Sequence, residues 1–337
     1  MSLKTASKNP RDSGIELLDF PAENYEIGRM CGWSAVICRL GEFSFLERVF
    51  PVSKRLEGKV AIVTGVSDRG IGGAIAERLA DEGAATAILW MERPTRLIQR
   101  LTRRERTVID CQCDVTQATS IREAVDTCMS EWGQVDILVN NAGIEDVHEF
   151  ENGRDDIWER LLDVNLLGTM KMIRGTLPVL TEPDGVIVNI ASVLGMAGCG
   201  GFGAYSATKS GLIGLTQSLA AELAPKRQRV VAVAPALVFT PMMQRHIKSS
   251  ASEMEALLAP SHPLGVGAGH DVAAAVAFLA SPEARWITGT TLPLGWMPSF
   301  PLPFGAMAQA ATATPEQVSG DAKPEVEVPP VQTLPLK

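Results

Sequence analysis

The stretch VAIVTGVSDRGIGGAIAERLADEG, Val60 to Gly83, changes character twice. It begins as a continuous apolar run, VAIVTG, of the kind a strand covered on both faces needs. A glycine-rich turn follows. From Ile71 small and apolar residues then gather on one helical face, until Gly83 stops the helix. In a strand–turn–helix unit of this kind, glycines let the backbone approach a pyrophosphate closely. The helix N-terminus adds free N–H groups and a partial positive charge. A tight turn with no ligand is the plain alternative. The placement between a strand and a helix favours the phosphate reading.

The same alternation continues outward. Apolar runs that read as strands occur at TAILWM from Thr86, within RTVIDCQCDV, at VDILVNNAG from Val135, and at GVIVNIAS, RVVAVAP and TTLPL. Helical patterns separate them: SIREAVDTCMSEWG, the long DDIWERLLDVNLLGTMKMIRGTLPVL from Asp155, a segment through Tyr205, and DVAAAVAFLAS. This order predicts an α/β fold, a doubly wound parallel sheet with helices on both faces, spanning 58–297. Residues 1–57 carry mixed charge and no clear period, and form an N-terminal extension of uncertain order. Residues 298–337, rich in Pro, Ala and Thr, bury too little to offset their ordering entropy and are expected to be disordered.

Composition excludes several classes. The apolar fraction of 46% is ample for a core, and a net charge of −8 argues against a nucleic-acid binder. No apolar run reaches the roughly 18–20 residues of a membrane span. The N-terminus has no signal-peptide pattern. The six cysteines lack paired spacing. Cys111 and Cys113, in CQC, have no accompanying His or Cys cluster, so an alternating strand is preferred to a metal site, and no metal is expected. Reduced thiols fit a cytoplasmic protein.

A second stretch, NIASVLGMAGCGGFGAYSATKSGLIG from Asn189, suggests chemistry. Tyr205 and Lys209 are i and i+4, and share one face of a helix. Ser192 closes a buried strand. A strand end thus presents a hydroxyl beside a helix that presents a phenol and an ammonium. An ammonium one turn away is expected to favour the phenolate and lower the tyrosine pKa from near 10. The four histidines, His148, His246, His262 and His270, are read as loop or cap residues; His148, after the fourth strand, lies where substrate enters.

The motifs Thr64-Gly65…Gly70-Ile71-Gly72, Asp114-Val115, Asn140-Asn141-Ala142-Gly143, Asn165, Ser192, Tyr205-x-x-x-Lys209 and APALVFTPM from Ala234 resemble, in this order, the short-chain dehydrogenase/reductase family over 58–297. The resemblance implies a Rossmann-type fold and an NAD(P)-dependent oxidoreductase. It implies Ser192, Tyr205, Lys209 and Asn165 as catalytic residues, with Asn165 holding a water that relays protons to Lys209. It implies a dinucleotide held by Thr64, Gly65, Ser67, Arg69, Gly70, Ile71, Gly72, Asp114, Val115, Asn141, Ala142, Gly143, Pro235, Val238 and Thr240, together with Tyr205 and Lys209. The chain departs from the family pattern at one extra residue between Gly65 and Gly70, at Ala236 after Pro235, at Val231 in the sixth strand, and at Gly295-Trp296-Met297. An NAD site usually ends its second strand with an acid; here that position is Trp90. Arg69, Arg93 and Arg96 suit a 2′-phosphate while Glu92 opposes it, so NADP(H) is favoured and NAD(H) possible.

The neighbourhood of Tyr205 is similar to the 3-oxoacyl-(acyl-carrier-protein) reductases, including the thirteen-residue step from Ser192. The substrate expectation is therefore a small carbonyl or alcohol, first a 3-oxoacyl thioester on an acyl carrier protein or coenzyme A. A secondary-alcohol, sugar or polyol dehydrogenase is the alternative. Glu182 and Asp184 stand where such reductases offer basic docking residues, although Lys226 and Arg227 supply one basic pair. A lid from Thr240 to Pro260 is expected to set specificity. A non-catalytic dinucleotide scaffold or sensor is a reading of another class. By resemblance, the helices through Asn165 and Tyr205 pair across a two-fold in a homotetramer, with Gly211 and Gly214 allowing close approach.

Overall fold

The computed structural model describes residues 54–244 and 262–296. Most of 1–57, all of 298–337, the lid beyond Gln244 and His246 lie outside the described residues. Seven parallel strands form one sheet in the order β3-β2-β1-β4-β5-β6-β7. They are β1 (Val60–Val63), β2 (Ala85–Trp90), β3 (Val108–Gln112), β4 (Ile137–Asn140), β5 (Val186–Ile190), β6 (Arg229–Pro235) and β7 (Thr291–Leu294). The chain winds outward from β1 to β3, returns to β4 on the other side of β1, and winds outward again. The order therefore reverses between β1 and β4, which opens a crevice at their C-terminal ends.

Residues in each central strand alternate between two cores. Ala61 and Val63 of β1, Ile137 and Val139 of β4, and Val186, Val188 and Ile190 of β5 face one. Val60, Ile62, Leu138 and Ile187 face the other. This period of two is why these strands are apolar throughout. The first core is closed by α1 (Ile71–Asp81), α2 (Thr95–Arg103) and the last helix, α7 (Gly269–Ala280). The second is closed by α3 (Ala118–Trp132), by α5 (Thr169–Thr176) in the long helical run, and by α6 (Gly203–Leu223). Gly72 and Gly73 weaken α1 by about 1 kcal/mol each relative to alanine. Fully buried Ile75 and Leu79 offset this, at about 1.5–3 kcal/mol apiece.

The domain starts before Gly58. Leu56 is fully buried and its N–H donates to the Glu82 carbonyl at 3.1 Å. Glu82, at the end of α1, is itself buried between Arg55 Nε (2.7 Å) and Arg78 Nε (2.6 Å).

The long helix from Asp155 is not uniform. It comprises α4 (Asp155–Leu162), a widened π turn over Asp163–Gly168, and α5. Asn165 lies in the π turn, and Thr169 Oγ1 donates to its carbonyl at 3.0 Å. Periodicity alone does not reveal such a turn, because the apolar pattern continues on both sides. π turns inside α-helices often mark functional sites. Gly211 packs within the chain, where an added Cβ would lie 3.0 Å from Leu166; Gly214 faces open space. No helix among the described residues is long and apolar enough to cross a membrane, and those residues hold no cluster of three or more metal-ligating side chains.

Candidate active site

A cavity of about 1210 Å³ opens at the crevice. Its two ends are built differently. At one end β1 leads into the glycine turn. Thr64, fully buried, takes hydrogen bonds on Oγ1 from the N–H groups of Asn141 and Ala142, both at 3.0 Å. Asn141 Nδ2 donates to the carbonyls of Thr64 and Gly65, again at 3.0 Å. The exits of β1 and β4 are thereby locked together. Gly65 has φ +65°, and a Cβ there would lie 2.5 Å from the Ala142 Cα, so no other residue fits.

The extra residue in the turn is absorbed by bracing. Val66 is buried, and its N–H donates to the Leu89 carbonyl of β2 at 3.0 Å. Asp68 accepts from the Leu97 N–H in α2 at 2.9 Å. Gly70 begins α1 without a side-chain cap, so the first N–H groups of the helix are left for an anion. Farther along, Asp114 Oδ1 accepts from both the N–H and the hydroxyl of Thr116, at 2.9 and 2.8 Å, and Val115 is buried beside it. Pro235, Val238 and Thr240 line the far wall. Ala236 needs no special backbone: the described non-glycine residues with positive φ are Glu105, Asp184 and Arg227. The departure from Pro-Gly therefore causes no strain there. These features fit a dinucleotide: a glycine cradle, an uncapped helix N-terminus, and the Asp114 carboxylate on the cavity wall.

The charged groups at this end are unequal. Arg69 and Arg96 are exposed on the cavity rim. Arg93 is held by Asp110 through two bonds, Nε at 2.8 Å and Nη2 at 2.9 Å. Trp90 Nε1 donates to the same carboxylate at 3.0 Å. Arg93 first and Trp90 next hold the Asp110 carboxyl below its ordinary range. The end of β2 thus presents an indole where an acid was sought.

At the other end Ser192, Tyr205, Lys209 and Asn165 converge, as do Gly143 and Ile144 after β4. Ser192 stands two residues past β5 in extended backbone, and its Oγ accepts from the Leu194 N–H at 3.2 Å. The turn that follows presses on α6, where a Cβ on Gly195 would lie 2.7 Å from the Lys209 carbonyl carbon. Ser192 and Tyr205 share a side-chain hydrogen bond. Lys209 is buried and its Nζ donates to the Ile190 carbonyl at 2.9 Å. Asn165, fully buried, grips Ile144 by both polar groups: Oδ1 accepts from the N–H at 2.8 Å and Nδ2 donates to the carbonyl at 2.9 Å. Nδ2 also reaches Thr208 Oγ1 at 3.1 Å, and that hydroxyl donates to the Tyr205 carbonyl at 2.7 Å. The position of a Cβ on Gly143 lies 3.3 Å from Asn165 Oδ1 and 3.6 Å from Lys209 Nζ.

The electrostatics correct one expectation. Lys209 was expected to lower the pKa of Tyr205; instead the phenol is pushed up, by burial first and by the Glu145 carboxylate second. Lys209 sits with Nζ 5.5 Å from the Tyr205 ring centroid. Burial lowers its own pKa from 10.5 to about 8, with Glu145 opposing. Removing a phenolate from water costs more here than the hydrogen bond to Ser192 returns.

Residues to which the sequence assigned no role brace the site. Asn140 Nδ2 donates to Asn189 Oδ1, and Asn189 Nδ2 to Thr216 Oγ1, both at 2.9 Å, joining β4, β5 and α6 through the interior. The signal was a lone asparagine within the apolar run VIVNI. Thr208 had no signal beyond lying one residue before Lys209. The described histidines, His148, His262 and His270, are peripheral to Ser192, Tyr205, Lys209 and Asn165. His148 is exposed at the cavity with Nε2 3.5 Å from Asp146 Oδ1, His270 lies 3.4 Å from Asp271, and buried His262 accepts from the Leu237 N–H at 3.2 Å. Among the described residues, Cys111, Cys113, Cys128 and Cys199 form no disulfide.

Comparison with known proteins agrees with this geometry. Residues 65–294 match the family model described as enoyl-(acyl carrier protein) reductase. An uncharacterized oxidoreductase of Methylorubrum extorquens is 39% identical over 243 residues, which are 71% of this chain and 96% of that protein. The 3-oxoacyl-[acyl-carrier-protein] reductase FabG of Escherichia coli is 37% identical over 239 residues, covering 70% and 95%. A short chain dehydrogenase from Burkholderia cenocepacia, solved in complex with NADP, superposes with a TM-score of 0.65 at 35% identity, covering 71% and 97%. With its doubly wound sheet and glycine cradle, the chain belongs to the short-chain dehydrogenase/reductase family of NAD(P)-dependent oxidoreductases and is related to the FabG-type 3-oxoacyl-[acyl-carrier-protein] reductases.

Proposed function

We propose that the chain interconverts a ketone and a secondary alcohol, with Tyr205 as the proton donor in the direction of reduction. The observation that carries this reading is the convergence of Ser192, Tyr205 and Lys209 on the cavity, with Asn165 buried behind them. When bound, the nicotinamide dinucleotide supplies the hydride. Tyr205 gives its hydroxyl proton to the substrate oxygen. The phenol is protonated at neutral pH, and burial and the Glu145 carboxylate, which raise its pKa, work against this transfer. Ser192 donates a hydrogen bond to the oxygen as negative charge develops there. Lys209, whose Nζ is anchored on the Ile190 carbonyl, would hold the dinucleotide's ribose. Asn165 is a positioning residue: it fixes Ile144 on one side and, through Thr208, the Tyr205 backbone on the other. Arg69 and Arg96 support a preference for NADP(H).

The substrate class put first is a 3-oxoacyl thioester, supported by the FabG relatives. Docking of an acidic carrier protein is less well supported. Lys226 pairs with Glu182 at 3.4 Å, which reduces the basic patch available. A homotetramer is supported by the apolar side chains exposed along the long helix, Leu162, Leu167 and Met170. The test is the initial rate of NADPH and NADH oxidation with a short 3-oxoacyl thioester. Tyr205→Phe should lower kcat by about 10²–10⁴-fold with dinucleotide affinity retained. Undiminished turnover in that variant would overturn the assignment. Tight dinucleotide binding without turnover would reject the thioester as substrate. A second reading, a hydroxylated ketone or polyol, is favoured by the carboxylate of Glu145 in the cavity.

A further inference from the structure

The cavity wall past β6 is held from behind. Pro235, Ala236, Leu237, Val238 and Thr240 line the cavity, and Leu237 packs in one apolar cluster with Leu194 and Tyr205. The backbone of this wall is strapped to segments distant in sequence. The Ala236 N–H donates to the Leu294 carbonyl of β7 at 2.9 Å, the Gly267 N–H to the Leu237 carbonyl at 3.0 Å, and the Phe239 N–H to the Gly267 carbonyl at 2.8 Å. The Leu237 N–H is held by a side chain instead: His262 Nε2 accepts from it at 3.2 Å. A turn fixes His262 in place, its carbonyl accepting from the Gly265 N–H at 2.8 Å. His262 is 1% exposed and is not among the residues that line the cavity, so it acts through the wall and not by contact with a ligand.

We propose that His262 is a positioning residue for the nicotinamide end of the dinucleotide: by holding the Leu237 N–H, it fixes the wall against which the reacting ring is seated. The inference rests on the proposed reaction, which requires that ring to lie beside Tyr205, where Leu237 packs. A backbone N–H that loses its acceptor costs free energy unless it reaches water. In the free protein, a wall released from His262 can turn this N–H toward water in the open cavity. Binding then has to draw the wall back, so the cost falls on affinity. The adenosine end is built on the Gly65 turn, the start of α1 and Asp114, so its share of the binding stays intact.

The test compares NADPH with 2′-phospho-ADP-ribose, which lacks the nicotinamide, by titration calorimetry on the full chain. The ratio of the two affinities isolates the nicotinamide end and needs no turnover. It is measured for the wild-type chain, for His262→Phe, which keeps a ring but has no acceptor, and for His262→Gln, whose side-chain carbonyl can take the place of Nε2. The ratio should fall about tenfold in His262→Phe and recover in His262→Gln. The fragment should bind all three proteins alike, which also reports that the variants are folded. An unchanged ratio in His262→Phe overturns the inference. So does an equal loss on both ligands, which would make His262 a residue of general stability. A ratio as low in His262→Gln as in His262→Phe overturns it too, because lost packing and not a lost acceptor would be the cause. If the wild-type chain binds NADPH no better than the fragment, the ring is not seated at this wall, and the reaction proposed at Tyr205 fails together with the inference.

Discussion

The dinucleotide end of the cavity is made of backbone, and the reacting end is made of buried side chains. At the first, the recognition proposed above rests on the Gly65 cradle, the uncapped start of α1 and exposed arginines at the rim. At the second, Asn165, Ser192, Thr208 and Lys209 are all buried, and each is hydrogen-bonded to a neighbour. A site built from peptide groups tolerates changes in side chains and even in loop length, provided the path of the chain is kept. That is why an extra residue between Gly65 and Gly70 is accommodated. A buried polar network has no such latitude, because a lost partner in a low dielectric leaves a group that water cannot reach.

The largest expected effect attacks the first end where it lacks latitude. Gly65→Val places a Cβ onto the Ala142 backbone at a φ of +65° that β-branched residues avoid. Loss of stability on the order of 3 kcal/mol or more is expected, with dinucleotide affinity reduced beyond measurement by calorimetry. If Gly65→Val binds NADPH normally, the path of the backbone is not what that end depends on.

How legible each end was follows from the same difference. The glycine turn is local in sequence, so strand, turn and helix could be read directly from Val60 to Gly83. Tyr205 and Lys209 were legible because one helical turn joins them. What joins Asn165 to Ile144 and Thr208 is tertiary, across 21 and 43 residues, and no periodicity reports it. The π turn at Asn165 was hidden by an apolar pattern that reads as one unbroken helix. The direction of the Tyr205 shift was misjudged for a related reason. A lysine at i+4 is visible in sequence, but burial and the field of Glu145 exist only in the fold.

The next effect concerns the reacting end. Lys209 has its pKa lowered from 10.5 to about 8, so between those values the folded chain holds fewer protons than the unfolded one. Stability contributed by this site rises with pH through that window, and the full penalty is present below it. Lys209→Met removes a penalty on the order of 3 kcal/mol and leaves the Ile190 carbonyl without its ammonium donor, which costs about 1.5–3 kcal/mol. The variant should therefore be inactive and melt close to the wild-type chain at pH 7, and its melting temperature relative to the wild-type chain should fall as pH rises from about 8 towards 10.5. Thermal melts across pH 6 to 10 provide the check, as an approximate range set by those two values. A gap that is constant with pH would mean that Lys209 titrates normally, and that the reacting end is wetter than its burial implies.

The smallest effect separates the three arginines at the dinucleotide end. Arg69 and Arg96 stand exposed on the rim, whereas Arg93 already spends Nε and Nη2 on Asp110. A 2′-phosphate met by exposed guanidinium groups gains only what screening leaves. Arg69→Ala and Arg96→Ala should each reduce the preference for NADPH over NADH by about tenfold. Added salt should narrow the difference. Arg93→Ala should change that preference less, because its donors are committed, and should act mainly by freeing Asp110 to repel the phosphate. The measurement is the ratio of kcat/KM for the two dinucleotides at low and high ionic strength. An Arg93→Ala effect as large as that of Arg69→Ala would mean that the Asp110 pair opens when the dinucleotide binds. The rim would then be a side-chain device like the reacting end, and the contrast between the two ends would fail there.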